Sequence, residues 1–230
     1  MEVVFVHGAL VRDGQWWWQP TAALLEERTG VRSRSVDLPS CGETEERGGL
    51  AADAAALRAV LDEVDDAVLV GHSYGGTVIA EAGTHPAVQH LVLVSSYLPD
   101  VGLAQAQIMA GEPDPVAVAD AGDGLVAVDG YDAARFGARF LQDASDAVQR
   151  AAWERVTAQS VAALGAPTTA AGWQGVDSTY LVCTADRSTS IGLQRDHARR
   201  ASRSVDLPTG HHPFITRPDL VVDVLTPLVA

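Results

Sequence analysis

The segment Gly71-His-Ser-Tyr-Gly75 places a serine between two glycines. An apolar run, Ala67-Val-Leu-Val70, precedes it, and small residues with helix formers, Gly76-Thr-Val-Ile-Ala80, follow it. Strand, G-x-S-x-G and helix in that order describe a nucleophile elbow. A serine oxygen stands clear of a sheet edge only if the chain turns sharply at Ser73, which strains the serine backbone. Gly71 and Gly75 remove the Cβ atoms that would collide in such a turn. The helix that begins there aims its first N–H groups at any negative charge that develops. A tight turn that merely happened to contain serine would not require glycine on both flanks. Ser73 is therefore the candidate nucleophile.

A serine needs a base to take its proton, and the base needs a third group to orient it. Behind such an elbow the order along the chain is serine, acid, histidine. Asp186 stands two residues beyond the apolar run Tyr180-Leu-Val-Cys-Thr184 and is the favoured acid; Asp100, after Tyr97-Leu-Pro99, is its rival. Of the seven histidines, His211 follows the final apolar run and Thr209-Gly210, where Gly210 frees the backbone of a catalytic loop. His211 is the favoured base, and the adjacent His212 is the fallback. His7 and His72 flank the reacting centre and read as structural. His85, His90 and His197 read as solvated or capping. The oxyanion of a tetrahedral intermediate needs N–H donors. Tyr74, next after the nucleophile, supplies one, and Ala9, on the loop His7-Gly-Ala-Leu10, supplies the other. Gly8 allows the loop to come close.

These residues must be carried by a scaffold. Apolar runs at Val3–Val6, Val31–Leu38, Ala67–Val70, His90–Val94, Tyr180–Cys183 and Ser204–Leu207 alternate with helical patterns. The patterns cover Pro20–Arg28, Leu50–Val64, Thr77–Ala82, Ile191–Ala201 and Pro218–Leu228. Alternation of this kind implies βαβ crossovers and a doubly wound, mostly parallel sheet of about six strands. Val31–Leu38 alternates with polar residues and belongs near an edge. Residues 97–178 hold no convincing strand and read as a helical cap inserted into a single domain of residues 1–230, with helices around Ala133–Leu141 and Ala144–Leu164.

Composition narrows the chemistry. The 230 residues are 47% hydrophobic and carry a net charge of -14, from 16 basic and 30 acidic residues, and every basic residue is arginine. Scattered acidity argues against nucleic acid and anionic membrane as partners. Cys41 and Cys183 lie in no metal-type spacing. The start Glu2-Val-Val-Phe-Val6 has no secretory pattern, so the expected location is cytoplasmic.

Beyond the elbow itself, several segments resemble the methylesterase and hydroxynitrile-lyase branch of the α/β-hydrolases, with its bacterial small-esterase relatives. They are Val4-Phe-Val-His-Gly-Ala9, Trp16-Trp-Trp18, Leu38-Pro-Ser-Cys-Gly42, Gly71-His-Ser-Tyr-Gly-Gly76, Tyr97-Leu-Pro-Asp100, Tyr180-Leu-Val-Cys-Thr-Ala-Asp-Arg187 and Gly210-His211. The resemblance spans the core and is loose in the cap. It implies an α/β-hydrolase fold, a Ser73, Asp186 and His211 triad, Ala9 and Tyr74 as oxyanion donors, and no cofactor or metal. The lyases of this branch place a threonine directly after the first-loop histidine and a lysine directly after the catalytic one. Here those positions hold Gly8 and His212. A longer loop, Leu10 to Gln15, is a further departure.

The expected function is hydrolysis of a small, fairly apolar carboxylic ester through an acyl-enzyme. A carbon–carbon lyase, or a binding protein with a feeble triad, are the alternatives. Gly8, Tyr97, Met109, Phe136, Phe140, Trp153 and Phe214 are the candidate pocket residues. The expected partner is the small ester itself, and a homodimer is an arrangement the sequence permits.

Overall fold

The computed structural model describes residues 1–44 and 47–230. β1 (Glu2–Val6) leads to α1 (Gly14–Thr29), β2 (Ser33–Ser35), a 3₁₀ turn at Pro39–Cys41, α2 (Leu50–Leu61), β3 (Ala67–His72), α3 (Tyr74–Ala82) and β4 (Val88–Val94). The chain then leaves the sheet for α4 (Gln105–Met109), β5 (Val118–Gly122), β6 (Leu125–Val128), α5 (Ala133–Phe140), α6 (Asp146–Trp153), β7 (Gln159–Ser160) and α7 (Val161–Gly165). It returns through β8 (Ser178–Cys183), α8 (Ile191–Ala198), β9 (Arg203–Leu207), α9 (Pro213–Thr216) and α10 (Pro218–Val229).

Six strands form one sheet in the order β2-β1-β3-β4-β8-β9, each paired in parallel with its neighbours. Helices cover both faces, so β3 and β8 are buried along their whole length. That is why they read as near-continuous apolar runs rather than alternating ones. Leu57, Leu61, Val78 and Ile79 of α2 and α3 pack on one face. Trp18, Leu25, Val221 and Leu225 of α1 and α10 pack on the other. The chain moves from β1 outward to β2, then back across to β3. Between β1 and β3 the winding reverses, and the crevice beyond the strand ends there is where such sheets bind ligands. The elbow at Ser73 leaves β3 at that point.

Several local readings of the sequence are corrected. The second strand keeps only Ser33–Ser35 of the expected 31–38 and forms one edge of the sheet. Helix α1 starts at Gly14, not Pro20, because the Asp13 side chain accepts the Trp16 N–H at 3.2 Å and caps it. Pro20 lies inside the helix, so the long loop expected from Leu10 to Gln15 is shorter. The excursion between β4 and β8 also holds strands: β5, β6 and β7 make a small antiparallel sheet. The helix expected over 144–164 is split into α6 and α7 by β7. β5 is the exposed Val-Ala-Asp-Ala-Gly segment, and β7 is two residues long, so neither carries a hydrophobic alternation to read.

Candidate active site

The site begins with a strained residue. Ser73 has φ 50° and ψ −121°, between the end of β3 and the start of α3. A Cβ added at Gly75 would come within 2.4 Å of the Val6 carbonyl oxygen, and one at Gly71 within 2.7 Å of the Gly75 carbonyl oxygen. Both glycines are therefore demanded by backbone contact. Helix α3 begins at Tyr74, so the Tyr74 N–H is one of the first-turn donors that have no helical acceptor. From the other side comes the loop after β1. A Cβ at Gly8 would lie 3.0 Å from His72 Nδ1 and 3.3 Å from Ser73 Cβ, so this loop presses directly on the serine.

His211 follows β9, and its Nδ1 lies 2.7 Å from Asp186 Oδ2. A carboxylate partner accepts, so Nδ1 carries the proton and Nε2 keeps its lone pair. Asp186 is itself held by many donors. Its Oδ1 accepts the N–H groups of Ser188 at 2.6 Å and Thr189 at 3.2 Å. Its Oδ2 also accepts from Gln194 Nε2 at 3.2 Å and from the Ser95 hydroxyl. Burial alone would raise the Asp186 carboxyl, but His211 first, and then the donor from Ser95, hold it below the ordinary carboxylate range. Ser95 also stands 3.2 Å from His211 Nδ1 and has φ 42°, an unusual backbone for serine. Sequence reasoning missed Ser95. It follows an apolar strand without any motif, and only the parallel pairing of β4 with β8 brings it beside Asp186.

The two rivals are placed elsewhere. Asp100 pairs with Arg200 at 2.6 Å. His212 Nδ1 donates to the Phe140 carbonyl at 2.9 Å, and its ring stacks on Trp17 at 5.0 Å. Burial, then the charge of His211, pushes His212 down to about 3, so it stays neutral. His72 is buried and pushed well below its ordinary value. It donates from Nε2 to the His211 carbonyl at 3.0 Å and so braces the His211 loop. Two histidines expected to be solvated or capping, His90 and His197, are buried.

Ser73 and His211 lie on the wall of one small cavity of about 60 Å³, together with Gly8, Ala9, His72 and His212. Its apolar walls include Leu10, Val11, Tyr97, Met109, Val128, Phe136 and Phe140, and Gln105 and Ser188 add polar groups. Two expected pocket residues do not line it. Trp153 packs against Phe136 at 5.7 Å inside the cap. Phe214 stacks on Trp18 at 4.0 Å and on His72 at 4.8 Å, behind the histidine loop. In both cases the aromatic surface is spent on core packing rather than on the cavity. Gln105 was not foreseen; it is buried, and its Oε1 accepts from the Thr77 hydroxyl.

A six-stranded parallel sheet, an elbow serine and an aspartate–histidine pair beyond the sheet define the α/β-hydrolase class. Residues 3–224 match the model of the alpha/beta hydrolase family, and the chain belongs to that family. Among curated proteins it is 24% identical over 240 residues to alpha/beta hydrolase nvfD of Aspergillus novofumigatus, covering 97% of this chain and 94% of that one. Among solved structures it is similar to a pyrethroid hydrolase from Sphingobium faniae JZ-2, with TM-score 0.82 and 19% identity over 100% of this chain and 97% of that chain. It is also similar to the methylesterase protein MES16 from Arabidopsis, with TM-score 0.81 and 19% identity over 100% and 98% of the two chains. The methylesterase-like resemblance of the sequence thus extends to the fold.

Proposed function

We propose that the protein is a carboxylic-ester hydrolase working through Ser73, His211 and Asp186. One observation carries this reading. The His211–Asp186 bond of 2.7 Å leaves His211 Nε2 as a free base in the same cavity as a serine on a strained elbow. In the first half-reaction Ser73 Oγ attacks the ester carbonyl carbon as its proton passes to His211 Nε2. Asp186 stabilises the imidazolium. The carbonyl oxygen becomes an oxyanion facing the N–H groups of Ala9 and Tyr74. The carbon–oxygen bond to the alcohol then breaks, and His211 returns the proton to the departing alkoxide. In the second half a water, deprotonated by His211, attacks the acyl-serine; the bond to Ser73 Oγ breaks, His211 returns the proton to Ser73 Oγ, and the acid is released.

The small, mostly apolar cavity favours a small apolar ester, held against Tyr97, Met109, Phe136 and Phe140. The names of the pyrethroid hydrolase and the methylesterase support an ester as the substrate class. A carbon–carbon lyase of this branch would hold its substrate with a threonine after the first-loop histidine and a lysine after the catalytic one. Gly8 offers no hydroxyl, and His212 is buried and neutral, so ester hydrolysis is the better reading.

A fluorophosphonate probe and a panel of nitrophenyl, methyl and aryl esters test the proposal. The probe should label Ser73, and Ser73→Ala should lose on the order of 10⁴-fold or more in kcat while keeping its circular dichroism spectrum. A variant that kept a tenth of wild-type turnover would mean the nucleophile is another residue. Cyanide released from mandelonitrile by the wild type would instead mark a lyase.

A further inference from the structure

A buried polar chain runs from the loop after β1 to the elbow, and chemistry fixes the direction of every bond in it. The Leu10 N–H can only donate, so the amide atom 3.0 Å away is the oxygen of Gln159. The other end of that amide is then NH₂, which also can only donate, and it lies 2.9 Å from Ser40 Oγ. Ser40 Oγ accepts there and gives its own proton to Asp53 Oδ2 at 2.6 Å, while the Ser40 N–H donates to Asp53 Oδ1 at 2.9 Å. The Tyr74 hydroxyl closes the chain on Asp53 Oδ2 at 2.7 Å. Gln159, Ser40, Asp53 and Tyr74 are all 0% exposed.

The ends of this chain matter. Leu10 follows Ala9, and Tyr74 follows Ser73. These are the two places from which oxyanion donors are proposed to come. Leu10 has φ 61°, in the left-handed region that a leucine adopts only when its surroundings impose it. The surroundings are cap segment 155–159. Besides Gln159, the Thr157 N–H donates to the Leu10 carbonyl and the Arg155 carbonyl accepts from the Arg12 N–H, each at 2.9 Å. Both backbone polar groups of Leu10 are thus tied to the cap. Asp53, a fully buried carboxylate, makes no ion pair among the described residues, and its donors are the hydroxyls and N–H of this chain alone. Buried carboxylates are costly to retain, and a satisfied buried network fixes geometry.

We infer that Gln159 is a positioning residue, which acts through Ser40 and Asp53 to set the Ala9 and Tyr74 N–H groups in one fixed oxyanion site. The inference rests on the hydrolase reading above. Such a site works by holding its donors where charge will develop, so a small displacement is expressed in the transition state rather than in substrate binding.

Two variants of the full chain test it: Gln159→Leu, which cuts the chain at the cap, and Tyr74→Phe, which removes only a hydroxyl. Each is compared with wild type in nitrophenyl-ester kinetics, in fluorophosphonate labelling, and in inhibition by an aryl trifluoromethyl ketone, which forms a charged tetrahedral adduct on serine. Gln159→Leu should lower kcat by roughly tenfold to a hundredfold with KM within about twofold, and weaken the ketone by the same factor. The acid limb of its pH profile should not move. Tyr74→Phe should show a smaller loss in the same two readouts, and it decides the matter if Gln159→Leu does not fold. An active wild type whose variants keep both kcat and ketone affinity overturns the relay alone. A wild type that neither takes the probe nor cleaves any ester overturns the hydrolase reading, and the relay falls with it.

Discussion

Two adjacent histidines with opposite surroundings make the residue scale testable. His211 has Asp186 on one nitrogen and the cavity beside it, whereas His212 is fastened to the Phe140 carbonyl and stacked on Trp17. A general base must be neutral to accept a proton, so activity should fall on the acid side as the base takes up a proton. His211→Ala should abolish turnover and that limb together. His212→Ala should change KM or stability and keep the limb. Rates across pH 5 to 9 decide this, and an active His211→Ala beside a dead His212→Ala would move the base by one residue. Ser95 adds a second test. Its hydroxyl donates to Asp186 and is one of several donors that keep that carboxylate charged and still. Losing one hydrogen bond to a charged group costs about 1.5 kcal/mol or more, so Ser95→Ala should lower kcat by about tenfold. KM should change little, because Ser95 is absent from the cavity wall. A kcat equal to wild type would show that the remaining donors hold Asp186 without it.

At the scale of elements, close packing of α3 against β1 sets the position of Ser73, the proposed nucleophile. Gly75 lies so near the Val6 carbonyl that alanine there must push helix and strand apart. Gly75→Ala should therefore lower the thermal midpoint by about 10 °C or more, because overpacking against backbone cannot be relieved by a side-chain rotation. An unchanged midpoint would show that the helix can slide. The same contact explains why this part of the molecule was legible in the sequence. Gly71, Gly75 and Gly76 are conspicuous by residue type because a Cβ at each would collide, with the Gly75 carbonyl, the Val6 carbonyl and Ser96 respectively, and the buried strands β1, β3, β4 and β8 announce themselves as apolar runs. What could not be read depends on long-range placement. Ser95 acquires its role only when β4 pairs with β8. Gln159 sits in a two-residue strand that β6 makes possible. Trp153 and Phe214 look like pocket walls by residue type, yet they face Phe136 and Trp18, because packing direction follows from the docking of helices and not from composition.

At the scale of the whole molecule, histidines outside the proposed chemistry govern the response to acid. His72, His90, His197 and His212 are all buried and all held below the ordinary imidazole value, in each case first by burial. Above about pH 6.5 such a group is neutral in both folded and unfolded chains and contributes nothing to pH dependence. Below that value the unfolded chain takes up a proton that the folded one refuses. Stability then falls with pH by about 1.4 kcal/mol per unit for each group, until the folded pKa is reached. Asp37 and Asp53, raised by burial, act in the opposite sense, and Asp186 and Glu43 lose stabilisation only below the ordinary carboxylate range. His197 isolates the histidine effect. Burial, then Arg200, pushes it down to about 4. Among the described residues its two ring nitrogens have no hydrogen-bond partner, and it packs against Tyr97 and Tyr180. Phenylalanine should fill that space and carry no proton. His197→Phe should match or exceed wild-type stability at pH 7.5. Between pH 6.5 and 4 the wild type should lose about 3 kcal/mol that the variant retains, since every other titrating group is shared. Urea unfolding of both proteins at pH 7.5, 6, 5 and 4 measures the difference directly. Parallel stability curves would mean that His197 takes up its proton without opening the fold.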